Sequence, residues 1–459
     1  MSSPPLALPL AAAATVALAG CAAAARTATI TVDTTAQFQT MTGWEAVAQA
    51  GHEEPTFTVF ADTLFDLAVN DLGLNRLRLE VRSGSEHTRD YWVEGRAGTL
   101  TGDARRCARY ETVNDNDDPR VIAPAGFRFT ELDSTVQKVV LPIRRRIEAR
   151  GERLFLNVTY IAFMDQCPGT ARYDHLDAEE YAEFVIAVLT HLRGRWGLVP
   201  DTWEAVLEPD NTGRWNPDAL GRAIAAAARR LREAGFPTRF IAPSTMVAGR
   251  VASWYDRIAR APGAAQAIAE IAYHRYRFVT TGNLRAIAER ARASGTATAM
   301  LEHIGSGYED LYEDLTVAGV SAWQQFALAY PQPRDRGGLL YLIDVSDPRR
   351  PVIREASRTR FLKPYYRNVR LGARRVGATS EDGAARPVAF LNPGGAAVIV
   401  INAARRLTAR VIGLPPGRYG ATFVTAQDAG TAATDTTLAA GEAMVVRIPA
   451  RGVVAIVAR

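Results

Sequence analysis

The sequence predicts an α/β protein, a (β/α)8 TIM barrel with a C-terminal β-sandwich domain. Three observations carry this. Eight short apolar or alternating segments recur between residues 41 and 326, and most are separated by amphipathic helical stretches. Past about Leu371 the helical periodicity stops. Short apolar runs take over there, punctuated by Asn392-Pro393-Gly394-Gly395, Pro415-Pro416-Gly417 and Ala439-Ala440-Gly441. Finally, no Gly-x-Gly-x-x-Gly turn follows an early strand, as an open dinucleotide-binding sheet would want. A chain of 459 residues, 47% of them hydrophobic, suits one large domain and one smaller one.

The strands are expected near 41–50, 74–81, 153–162, 202–208, 238–243, 271–276, 297–302 and 320–326. Helices fill most of the gaps. Residues 58–70 place Phe60, Leu64, Leu67 and Ala68 on one face. A helix follows over 132–148, and another over 177–195, opened by Asp177 and acidic residues in its first turn. The helix over 216–234 has Asn216 as N-cap, Pro217 at its first position and Gly235 beyond its end. Further helices are expected over 251–261, 283–293 and 308–317. Residues 82–127 are polar with little periodicity, and an insertion of that length is usually functional or locally ordered.

The N-terminus reads as an export signal. Residues 6–20 are apolar and Ala-rich, too short to span a bilayer comfortably, and end in Leu18-Ala19-Gly20-Cys21. This resembles the lipobox of bacterial lipoproteins, in which Cys21 becomes the lipidated first residue and holds the protein at a membrane. One departure is that Met1 to Leu10 carries no Lys or Arg. A plain secretory signal cut near Ala25 is the alternative, and either reading puts the mature protein outside the cytoplasm. With Cys21 lipidated, Cys107 and Cys167 remain for a disulfide in an oxidising compartment, free buried thiols being the other possibility. The expected divisions are 1–21 signal and lipobox, 22–36 tether and first strand, 37–370 barrel, and 371–459 sandwich.

The formal charge of +5 and pI near 9.2 come largely from Arg on Ala-rich helical stretches interspersed with Glu and Asp. That is helix surface rather than a nucleic-acid patch. No pair of Cys or His sits at ligand spacing, so no metal is expected, nor any cofactor.

The chemistry centres on two glutamates. In Trp203-Glu204-Ala205-Val206-Leu207-Glu208-Pro209-Asp210-Asn211 a strand stops at Pro209, which is expected to hold Glu208 extended. In Ala297-Thr298-Ala299-Met300-Leu301-Glu302 a second strand ends on Glu302. These are strands four and seven of the eight, and catalytic groups of a barrel collect at the C-terminal ends of its strands. Two carboxylates about 5–5.5 Å apart make a retaining glycosidase, and a gap of about 6.5–9.5 Å an inverting one.

The order of motifs resembles glycoside hydrolase family 30, within the clan of (β/α)8 retaining glycosidases. The resemblance rests on Phe38-Gln39-Thr40-Met41-Thr42-Gly43-Trp44, Gly73-Leu74-Asn75-Arg76-Leu77-Arg78, Trp323, the 364–376 junction, and the sandwich segments around Asn392 and Pro449. It implies Glu208 as acid/base and Glu302 as nucleophile, acting on a polysaccharide or glycoside. Arg78 and Tyr276 would orient Glu302, with His274 also in the site. Trp323, and more remotely Trp44, would meet the sugar. It also implies that the N-terminal strand pairs with the sandwich. One position departs. The clan usually has Asn before the acid/base, touching the sugar 2-hydroxyl; here it is Leu207, leaving Asn211 and Asn157 to replace that contact.

Overall fold

The computed structural model describes residues 27–167 and 171–459; the signal segment and Cys21 lie outside them. The strand β1 (Thr27–Thr40) leads into eight parallel strands: β2 (Gly43–Ala50), β3 (Arg76–Arg82), β4 (Phe155–Ile161), β5 (Thr202–Glu204), β6 (Arg239–Val247), β7 (Ile268–Arg277), β8 (Ala297–Glu302) and β9 (Ala322–Pro331). Each pairs with the next, and β9 pairs with both β2 and β8, so the barrel closes. Farther along, β9 leaves β8 and takes β10 (Leu339–Asp344), which forms an antiparallel pair with β11 (Val352–Glu355). The β10–β11 pair and the helix Thr359–Tyr366 are elements the sequence reading did not separate from its surroundings.

The helices begin where their capping residues dictate. Asp177 accepts from the backbone N–H groups of Glu179 and Glu180, and Asn216 from those of Asp218 and Ala219. Their apolar faces pack on the outside of the barrel, in the same core as Trp44, Trp203 and Trp323.

The barrel interior is heavily charged. Near the strand starts, Arg76 donates to both oxygens of Glu270, at 2.8 and 2.7 Å, and to Glu45. One turn of the pleat onward lie Arg78, Asn157, Glu204 and His274, all fully buried. Ions taken from water must be paired in this way, because one left alone costs several kcal/mol, roughly 3–5 when a partner is removed.

The strands β12 (Arg374–Ser380), β13 (Ala385–Leu391), β14 (Ala397–Ala403), β15 (Leu407–Ile412), β16 (Gly417–Thr425), β17 (Ala429–Leu438), β18 (Met444–Ile448) and β19 (Gly452–Ala458) join β1 in a second sheet, ordered β17-β16-β19-β14-β13-β12-β1-β15-β18. The strand β1 lies antiparallel to β12 and parallel to β15. It runs to Thr40, so the expected barrel boundary at residue 37 falls inside it; Met41 and Thr42 form the link to β2. The two cores are joined by side chains. Trp44 stacks on Tyr366 with centroids 4.7 Å apart and donates to the carbonyl of Val369, and Tyr365 donates to Asn402 at 2.6 Å.

Candidate active site

The strand β5 ends at Glu204, but over the next four residues the chain stays hydrogen-bonded between the neighbouring strands. Ala205 N donates to Ile241 O, Leu207 N to Tyr160 O and Glu208 N to Ser244 O, alternately to the neighbours on either side. Glu208 then turns left-handed, at φ 46° and ψ 58°. The expectation that Pro209 would hold it extended is therefore corrected. Proline disfavours the right-handed helical region for the residue before it. Here the Ser244 contact and the Asn211 N–H on Glu208's own carbonyl, at 2.8 Å, fix the turn. Such backbone costs about 1–3 kcal/mol and persists only where its surroundings over-determine it. Asp210 helps, accepting from the N–H groups of Met246 and Val247 and so tying the turn to β6.

Glu302 closes β8. Arg78 donates to its Oε2 at 2.5 Å and Tyr276 to its Oε1 at 3.0 Å. Glu208 has its own pair of partners: His274 Nδ1 lies 2.9 Å from Oε1, and Asn211 Nδ2 donates to Oε2 at 3.0 Å. An oxygen of Glu208, an oxygen of Glu302 and a ring nitrogen of His274 all lie within 4.8 Å of one another. Three such groups could also hold a metal ion. Arg78, however, already places a cation on Glu302, and the arrangement suits proton transfer as it stands.

Burial alone would raise the pKa of Glu208, but its bond to His274, the Asn211 amide and the charge of Arg78 together hold it below the usual carboxylate range. Burial would lower His274, yet Glu208, Glu302 and Glu204 surround it and its pKa rises. The two shifts run in opposite directions, each favouring the charged form of its group. Burial and the neighbouring Glu302 push the Tyr276 phenol upward, so it remains a donor.

Glu204 is the residue the sequence reading missed. It accepts from the Ser244 hydroxyl, lies 3.8 Å from Arg78 Nη1, and its Oε1 is 4.0 Å from His274 Nε2. It joins the supports of both glutamates from beneath. Its place on the β5 face shared with Thr202 was the available signal.

Other expected residues are placed differently. Asn157 is fully buried below the mouth, its Nδ2 3.4 Å from Glu204 and its Oδ1 accepting from Thr202, so it does not reach a sugar from there. Asn211 spends its amide on Glu208. Trp44 and Trp323 are fully buried core residues rather than a sugar platform; Trp323 Nε1 donates to Asp314 at 2.8 Å. They sit at the second positions of β2 and β9, opposite each other in register. Leu207 packs with Tyr110, Ile161 and Met164. Cys107 and Cys167 are bonded as a disulfide, their Cα atoms 5.1 Å apart, tying the 82–127 insertion to the loop after β4.

No family model and no curated protein matches the sequence. Solved structures do match in fold. A glycoside hydrolase family 30 xylanase C from Talaromyces cellulolyticus superposes with a TM-score of 0.67 at 15% identity, covering 94% of this chain and 100% of its own. A family 30 endoxylanase from Clostridium papyrosolvens gives 0.65 at 14% identity over 94% and 99% of the two chains. An endo-β1,6-glucanase gives 0.64 at 17% identity over 94% and 93%. The chain has the barrel-plus-β-domain fold of these proteins.

Proposed function

We propose that the protein is a retaining glycoside hydrolase of the family 30 kind, cleaving β-glycosidic bonds of an extracellular or cell-wall polysaccharide. The observation that carries this is the pair Glu208 and Glu302, with oxygens no more than 4.8 Å apart at the ends of barrel strands four and seven. Oxygens that close are compatible with the narrowly spaced carboxylate pair of a retaining enzyme. A different barrel hydrolase using Glu208 with Asp210 and His303 is the less favoured reading, because Asp210 is spent on backbone N–H groups.

Glu302, paired with Arg78 and steered by Tyr276, attacks the anomeric carbon as the glycosidic bond breaks. Glu208 gives its proton to the departing oxygen. In the second half Glu208 takes a proton from water, whose oxygen displaces Glu302 and regenerates both groups. A bound sugar would desolvate Glu208 further, which favours its protonated form.

The test is hydrolysis of a panel of aryl glycosides and polysaccharides, with the anomeric configuration followed by NMR. Retention is expected, with Glu302→Gln releasing no sugar while still binding. Inverted product, an active Glu302→Gln variant, or no turnover across the panel would each sink the reading; the last would leave a carbohydrate-binding protein on this fold. We further propose export with a lipid on Cys21. A Cys21→Ser variant should then leave the membrane fraction, and unchanged fractionation would refute the anchor.

A further inference from the structure

A second carboxylate cluster lies outside the residues of that site, where the 82–127 insertion meets the helix Ala178–Trp196. It comprises Glu86, Asp115, Glu180 and Glu183, with Asn114 beside them. Glu86 is accounted for: its Oε2 lies 2.7 Å from His175 Nε2, and its Oε1 accepts from Asp115 N at 3.2 Å. The others are not. Glu183 is 1% exposed, and neither of its carboxylate oxygens has a hydrogen-bond partner. Asn114 Oδ1, Asp115 Oδ1 and Glu180 Oε2 are buried and unpartnered as well.

The charges acting most strongly on Glu183 are Asp115, then Glu180 and Glu86, all of its own sign; Arg230 opposes them more weakly. Arg230 donates to the carbonyls of Pro119 and Glu179 instead of reaching a carboxylate there. Glu180 and Glu183 stand three apart on one helix face, where like charges repel. Glu179, by contrast, turns to Arg229 at 2.8 Å. A buried carboxylate without a partner is costly, and each unsatisfied buried polar group in a native protein needs a reason.

Two things could supply one: a proton or a cation. Burial and the anionic neighbours push the Glu183 carboxyl up to about 8, so a proton could reside there. One proton would serve Glu183 and a single neighbouring acceptor, leaving the rest of the unpartnered oxygens of Asp115, Glu180 and Asn114 unexplained. We propose that Glu183, Asp115, Glu180 and Asn114 form a binding site for a hard divalent cation of the calcium class. All the donors are oxygens, three of the four residues are anionic, and ions of this class take about 6–8 oxygens, completed by backbone carbonyls and water. Asn114 and Asp115 lie in the oxygen-rich run Asn114-Asp115-Asn116-Asp117-Asp118. Among the described residues only Glu208, His274 and Glu302 bring three acidic or imidazole ligand atoms within 4.8 Å. The carboxylates around Glu183 stand farther apart, and the cation draws them together. Searching for Cys and His spacing does not find such a site.

The experiment uses the full mature chain, stripped with chelator and melted with and without calcium chloride. Calcium at about a hundredfold its Kd should raise the melting temperature by roughly 3 °C, with saturable binding by calorimetry. Glu183→Gln should fold, by circular dichroism, and lose both responses; if it does not fold, Asn114→Ala, which removes a neutral donor, should weaken calcium binding at least tenfold. No binding and no shift in the wild type would overturn the proposal, as would an unchanged response in these variants. So would a calcium-independent loss of stability as pH rises through about 8. The raised carboxyl stabilises the fold while protonated and ceases to above its folded pKa, so that outcome would assign Glu183 a proton instead.

Discussion

His274 stands between two carboxylates, its Nδ1 2.9 Å from Glu208 and its Nε2 4.0 Å from Glu204. These carboxylates raise its pKa beside the group proposed as the acid. Replacing His274 with Asn removes the titrating ring and leaves Glu208 easier to protonate. The alkaline limb of the pH–rate profile should move upward by about one unit, since a charged hydrogen bond contributes about 1.5–3 kcal/mol and one unit is about 1.4 kcal/mol. Initial rates across the pH range would show it; a limb that stays put or moves downward would mean His274 does not set the acid.

Arg78 neutralises Glu302 and lies beside Glu204, with no exposure to water. Arg78→Met strands two buried carboxylates. We expect a loss of about 3–5 kcal/mol in urea unfolding together with loss of turnover. Arg76→Met, one pleat deeper between Glu45 and Glu270, should cost similar stability. A surviving folded fraction should keep the wild-type pH profile, because Arg76 touches neither glutamate of the pair.

Leu207 packs into the cluster of Tyr110, Ile161 and Met164. Restoring the clan's asparagine there should not restore a sugar contact. Leu207→Asn is expected to lower stability by roughly 1–3 kcal/mol, the cost of an unpaired buried amide, with no gain in kcat. A rise in kcat would show that the side chain can swing into the mouth.

Trp323 separates a structural role from a binding one. Trp323→Phe removes the N–H that Asp314 accepts and should cost about 1–3 kcal/mol in denaturant unfolding while leaving KM unchanged. A several-fold rise in KM would return Trp323 to the substrate site.

The Cys107–Cys167 bond spans 60 residues of sequence. The double serine variant should lose about 2–4 kcal/mol, chiefly through the freer unfolded chain. Denaturant midpoints in oxidised and reduced wild type should bracket the same difference.

The sequence by itself determined the alternation of strands and helices, because hydrophobic period, Asn216 and Asp177 capping and the Pro- and Gly-marked turns are local matters. It also placed Glu208 and Glu302 on strands four and seven, since each ends a short apolar run. What the two tryptophans would do was not local. Trp44 and Trp323 lie on the strand faces that look outward to the helices, and facing depends on the closed barrel. The same holds for Glu204, whose importance comes from Arg78, Ser244 and His274, brought to it from three other strands or their ends. The left-handed turn at Glu208 was hidden too, since Pro209 constrains its neighbour sterically while the hydrogen bonds that decide the conformation come from Ser244 and Asn211. Sequence order fixed which residues could carry chemistry; only closure of the barrel decided which of them face one another.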